Sequence, residues 1–181
     1  MVALLYSGAA SAQTGTRARQ SYVITSFDSI RVEAPVNVEI VTSGGVSARG
    51  EGSRSQLDRV DMHVSGGLLV VKLRPLPTTG AAGGAPTVYL TTGPIRRAIM
   101  VGGGRLRIDK LTGLAATLSI SGNGDMSVDD VALDRLNLLL AGSGRMTLRG
   151  KAGQVDARIQ GAGAIVGDAL VGRDVAVYND G

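Results

Sequence analysis

Apolar and polar positions alternate in short runs through the second half of the chain, and the runs recur. Ala116, Leu118 and Ile120 form one, Leu136, Leu138 and Leu140 the next, and Val155, Ala157 and Ile159 a third. A period of two places such residues on one face of an extended strand, where a helix would need a spacing near 3.6. Each run ends on two glycines flanking a single residue: Gly122-Asn123-Gly124, Gly142-Ser143-Gly144 and Gly161-Ala162-Gly163, with Gly102-Gly103-Gly104 ahead of them. Beyond the second glycine the alternation resumes at Leu106 and Ile108, Met126 and Val128, Met146 and Leu148, and Ile165. Each glycine pair therefore marks a corner between strands.

The first glycines stand 20, 20 and 19 residues apart, and a further 20 reaches Gly181. A repeat of this length is the mark of a solenoid. It is too short for a strand, a helix and two connections, but it accommodates two or three short strands joined by tight corners, which is one coil of a parallel β-helix. Stacking puts equivalent residues about 4.8 Å apart and turns the apolar positions into inner columns. Gly102, Gly104, Gly122, Gly124, Gly142, Gly144, Gly161 and Gly163 are the expected structural corner residues, because glycine adopts positive φ without steric cost. Val175, Val177 and Asn179 precede Gly181 with the same spacing, so the pattern reaches the corner of a fifth coil. An edge there invites another strand, from further chain or from a second copy.

The first half does not repeat this unit legibly. Residues 27 to 97 read as a less regular β region that completes and caps the stack, and residues 98 to 181 as the regular coils of the same domain. Strands are expected at residues 27 to 34, 36 to 41, 46 to 49, 60 to 64, 68 to 73, 87 to 90 and 95 to 101. Gly66-Gly67 forms a two-residue hairpin turn, and residues 53 to 60 supply one helical turn capped by Ser53 or Ser55. Residues 75 to 86 read as a surface loop and residues 13 to 26 as a flexible lead-in.

Composition agrees with the stacked reading. The chain of 181 residues holds 27 glycines, no cysteine, no tryptophan and a single phenylalanine, Phe27. A globular core of this size draws on more aromatics, whereas a narrow solenoid packs aliphatic ladders. Residues 1 to 12 are apolar and end in Ala10-Ser11-Ala12, as the remnant of a secretory signal does, although no charged segment precedes them. The alternative is an ordinary apolar tail. No later stretch approaches the 20 or so apolar residues of a membrane-spanning helix.

The segments FDSIRVEAPVNVEIVTSG and SQLDRVDMHVSGGLLVVKL, with the repeated units SGNGDMSV and AGSGRMTL, together resemble the bacterial head GIN domain family of auto-transporter adhesins. The resemblance spans residues 27 to 181. It implies a right-handed parallel β-helix similar in shape to pectin lyases, an exported location, and an adhesive role with no established ligand. Departures are Gly102-Gly103-Gly104 and Gly161-Ala162-Gly163, which lack the serine usual between the glycines. The family supplies no catalytic residues to carry over.

Candidate chemistry changes this picture little. The glycine pairs are not a dinucleotide fingerprint, because the third residue after each second glycine is Arg107, Ser127, Thr147 or Val166, inside a strand. Directly after the second glycines stand Arg105, Asp125, Arg145 and Ala164. Stacked at coil spacing, the first three form an alternating charge column that fixes coil register through Arg105–Asp125 and Asp125–Arg145 pairs; the rival reading is a recognition stripe for acidic groups. Asp109, Asp129 and Asp168 share a second column interrupted by Arg149, with Asp130 beside it. Calcium needs six or more gathered oxygens, so solvated strand ends are the simpler reading.

His63 has no acid, nucleophile or second ligand at a telling spacing and is expected in water. Arg54, Arg59, Arg74, Arg96 and Arg97 carry much of the net charge of +4, which with so few aromatics suits anionic polysaccharide or lipid head groups better than nucleic acid. Leu139, Ile99 and Val101 fall on outward strand positions, where either another chain docks or the 75 to 86 loop or the capping strands cover them. The expectation is a non-catalytic exported module without cofactor or metal that binds surface glycans or envelope proteins, with self-association open. The alternatives are a calcium-assisted polysaccharide lyase or hydrolase using Asp129 and Asp130, and a purely structural envelope protein.

Overall fold

Extended backbone makes up most of the described residues, as period-two alternation requires. In the computed structural model, which describes residues 17–75 and 84–181, the first elements are β1 (Ala18–Tyr22), β2 (Ser29–Val32), β3 (Val36–Val41), β4 (Ser47–Gly52) and a single helical turn, α1 (Arg54–Leu57). They are followed by β5 (Val60–Ser65), β6 (Leu68–Leu73), β7 (Thr87–Thr91) and β8 (Arg97–Val101). Four long strands complete the chain: β9 (Gly104–Gly122), β10 (Asp125–Gly142), β11 (Arg145–Gln160) and β12 (Ala164–Asn179). The expected signal remnant and most of the 75 to 86 loop lie outside the described residues.

Each long strand is one coil of a parallel β-solenoid, bent around the core and interrupted only at the glycine corners. β10 lies on β9 with partners 20 residues apart, from Asp125↔Arg105 to Gly142↔Gly122. β11 continues at Asp125↔Arg145, and β12 lies on β11 in the same parallel sense. The register changes once in each of these last two pairings, between Val128 and Val131 and between Thr147 and Arg149. Both shifts mark one corner at which β11 is a residue shorter than its neighbours. Gly150 closes that corner with φ +118°, against the backbone of Val131.

Stacking in register generates the core. Ile40, Ile108, Val128 and Leu148 make one inner column; Ile30, Ala98, Leu118, Leu138 and Ala157 make another across from it. All nine are buried. Burying each leucine, isoleucine or valine stabilises by about 1.5–3 kcal/mol, and the two alanines less, so the columns supply the main driving force of the fold.

The corner glycines divide into two kinds. Gly102, Gly122, Gly142 and Gly161 adopt positive φ, as does Gly104. Gly124, Gly144 and Gly163 do not, and the expectation that positive φ explains every one of these glycines is corrected here. Their requirement is space, since a Cβ on Gly163 would stand 2.7 Å from the carbonyl oxygen of Gly144 in the coil before.

The first half does more than cap the stack. β3 pairs in parallel with the opening of β9 and β7 with β3, while β8 pairs in parallel with the end of β9, β2 with β8 and β6 with β2. Both walls thus continue upward through strands taken out of chain order, which no linear repeat reveals. Antiparallel strands finish each wall: β4 and then β1 beside β7, and β5 beside β6. The β5–β6 hairpin turns at Gly66 and Gly67, both at positive φ, and Ser53 caps α1 by accepting from the Gln56 N–H.

Residues 18 to 22, expected within a flexible lead-in, instead form β1. Arg19 pairs with Glu51 at 2.9 Å, and the Tyr22 hydroxyl donates to the Leu57 carbonyl at 3.0 Å. The strand covers what would otherwise be the open edge of β4. At the opposite end, among the described residues, β12 pairs only with β11, and its own Val171, Val175 and Val177 are exposed.

Candidate binding surface

Outward positions of the strands build two walls on which side chains stack by rung. On the first, the alternation of β9 to β11 projects Arg105, Arg107 and Asp109, then Asp125, Ser127 and Asp129, then Arg145, Thr147 and Arg149. The register brings Arg105, Asp125 and Arg145 into one column, but no ion pair within 4.0 Å joins them. The pairs that form lie one column over. Arg107 Nε donates to Asp129 Oδ2 at 2.8 Å, its Nη2 lies 2.8 Å from the same oxygen, and Lys110 Nζ lies 3.2 Å from Asp130. Asp129 holds the Arg107 guanidinium above its ordinary pKa, first by that hydrogen bond.

The expected aspartate column does not gather oxygens. Asp109 Oδ1 accepts from the Thr42 N–H and hydroxyl, each at 2.9 Å, and from the Lys110 N–H at 2.6 Å. It ties the end of β3 to the first coil. Asp129 and Asp130 face cations, Arg149 pairs with Ala169, and Asp168 occupies the residue that the short corner of β11 leaves unmatched. Among the described residues no group of three or more His, Asp or Glu side chains converges on a point fit for a metal.

His63 is exposed in β5 opposite Val70. The basic residues of the first half act largely as ties: Arg96 pairs with Asp28, Arg59 donates to the Arg74 carbonyl at 2.7 Å, and Arg74 donates to the Asp58 carbonyl at 3.1 Å. Arg54 and Arg97 are exposed. On the second wall Ile99 and Leu139 share a column with Ser119 between them, and Val101 stacks through Ser121 towards Ala141. The apolar strip is therefore broken by hydroxyls.

Beside the glycine corners, Arg105, Asp125, Ser127, Ser143, Arg145 and Thr147 border a shallow depression of about 470 Å³. Sequence reading found its three charges but not the hydroxyls. The signal was present, because Ser127 and Thr147 fall at the same place in successive coils. Glu39, which adds to the field at Arg107, arrives through the β3–β9 register and left no trace in the repeat.

Parallel coils stacked in register, with polar side chains repeating along the outer walls, define a β-solenoid. Residues 26–181 match the family described as "Putative auto-transporter adhesin, head GIN domain", and the chain belongs to that family. No curated protein matches the sequence.

Solved structures share the fold at low identity. A "putative lipid binding protein" from Parabacteroides distasonis ATCC 8503 superposes with a TM-score of 0.69 at 16% identity, over 92% of this chain and 79% of that one. A "putative adhesin" from Parabacteroides merdae ATCC 43184 gives 0.65 at 15%, over 92% and 78%. Another from Bacteroides fragilis NCTC 9343 gives 0.62 at 12%, over 90% and 96%. No helix among the described residues is long and apolar enough to cross a membrane.

Proposed function

We propose that this chain is an exported, non-catalytic, adhesin-like module that offers its polar walls to surface glycans or envelope proteins, in the periplasm, at the outer surface or after secretion. The observation that carries the reading is the in-register wall of a chain belonging to an adhesin family: side chains repeat at about 4.8 Å on strands hydrogen-bonded on both sides. Little backbone order is left to acquire on binding, which lowers the entropic cost of association. The lyase reading is disfavoured because its carboxylates, Asp129 and Asp130, already face Arg107 and Lys110.

Binding of the purified chain to a glycan array and to immobilised envelope fractions tests the proposal, with retention on at least one ligand class expected. Absence of binding throughout would refute it. Turnover of pectate or alginate in the presence of calcium, abolished by Asp129→Ala, would replace it with catalysis.

A further inference from the structure

The cations along the first wall are not equivalent. Arg107 is neutralised by Asp129 and Arg19 by Glu51; elsewhere Arg31 faces Glu33 and Arg96 faces Asp28. The side chains of Arg105 and Arg145 are exposed and make no ion pair or hydrogen bond, even though Asp125 occupies the rung between them. Both border the same depression, with the hydroxyls of Ser127, Ser143 and Thr147.

Spacing and charge order restrict what fits. Arg105 and Arg145 stand two rungs apart, about 10 Å along the wall. A free guanidinium presents a planar fork of donors that matches a carboxylate. Asp125, when ionised, only accepts hydrogen bonds and repels an anion centred on its own rung. The complementary ligand carries two carboxylates separated by a neutral, hydroxyl-rich unit. An evenly charged polymer meets repulsion in the middle, and a neutral one leaves both arginines without a partner.

We infer that the depression bordered by Arg105, Asp125 and Arg145 is a subsite for an acidic saccharide in which uronate units alternate with neutral sugars, the arginines taking successive carboxylates and Asp125, Ser127 and Thr147 the intervening hydroxyls. The inference rests on the binding-module reading and adds the ligand class. An anionic lipid surface offers the same positive partners a denser, uninterrupted field of negative charge, which Asp125 opposes.

The test is titration calorimetry of the full chain with hyaluronan oligosaccharides, polygalacturonate, neutral dextran and vesicles containing anionic lipid. Hyaluronan oligosaccharides are expected to bind best, with affinity falling as salt rises. Arg105→Gln and Arg145→Gln should each weaken that binding about tenfold, equivalent to about 1.4 kcal/mol, and the double variant should lose it. Asp125→Asn should narrow the preference for hyaluronan over polygalacturonate, and Arg97→Gln on the other wall should leave binding unchanged.

Melting curves that match the wild type confirm that the exposed-site variants fold. Failure of the wild type to bind hyaluronan oligosaccharides, undiminished binding by the double variant, or arginine-dependent binding to vesicles alone overturns the subsite. Retained binding to other glycans or envelope proteins would then leave the module reading standing. Loss of all binding on the array removes both.

Discussion

A Cβ placed on Gly144 would stand 2.4 Å from the carbonyl oxygen of Gly124, in the preceding coil. The obstacle is backbone already committed to the ladder, so it cannot yield without opening the rungs. At Gly124 the nearest atom to a Cβ is instead the Sδ of Met100, at 2.2 Å, on a side chain that can change rotamer. Gly144→Ala is therefore expected to destabilise by roughly 1–3 kcal/mol and Gly124→Ala by less. Urea midpoints of the two variants check the order; equal midpoints would contradict it.

Asp109 joins two parts of the chain that lie 67 residues apart, through the amide and hydroxyl of Thr42. Asp109→Ala removes this acceptor from the Thr42 and Lys110 N–H groups, while the Thr42 hydroxyl keeps the Lys110 carbonyl at 3.0 Å, and with the site partly exposed a loss of about 1 kcal/mol is expected. Asp109→Asn keeps an acceptor oxygen and should cost less. Hydrogen exchange gives a second readout, with faster exchange expected at the Thr42 amide in the alanine variant.

Asp28 and Glu33 are both held below the ordinary carboxylate range, Asp28 chiefly by the hydrogen bond from Arg96 and Glu33 chiefly by that from Lys72, with Arg31 adding to it. For a depressed carboxyl the unfolded chain takes up its proton first as the pH falls. The stabilisation is complete above the unfolded value, near 4, and is lost as the pH drops through the lower folded values. Both groups are partly exposed, so the effect is modest. The midpoint advantage of the wild type over a variant carrying Asp28→Asn and Glu33→Gln should be present at pH 7 and shrink towards pH 3. An advantage that grows in acid would contradict this assignment.

Asp125→Arg places a third guanidinium between Arg105 and Arg145 on adjacent rungs. Like charges at that spacing should lower stability by about 0.2–1 kcal/mol, the range of exposed charge interactions, and added salt should recover most of it. A melting temperature unchanged at low salt would show that the column has no part in register.

The coils were legible in the residues themselves because the direction of a strand side chain is a local property. Leu136, Leu138 and Leu140 must share one face whatever surrounds them, and the recurrence of that trio at coil spacing fixes which residues stack. The inner columns followed from the same pattern, and the β5–β6 hairpin from the two glycines, Gly66 and Gly67, between alternating runs. The order of β7, β3 and β9 on one wall, and of β6, β2 and β8 on the other, did not follow. Strand neighbours in the first half are chosen by long-range pairing and shared burial, and neither leaves a period in the chain. Side-chain pairing was hidden for a related reason: the column holding Arg105, Asp125 and Arg145 was readable, but whether Asp125 or Asp129 reaches an arginine depends on side-chain direction across a finished wall. Folding left the Arg107 side chain paired and those of the two arginines beside the depression free, and the proposed subsite rests on that difference.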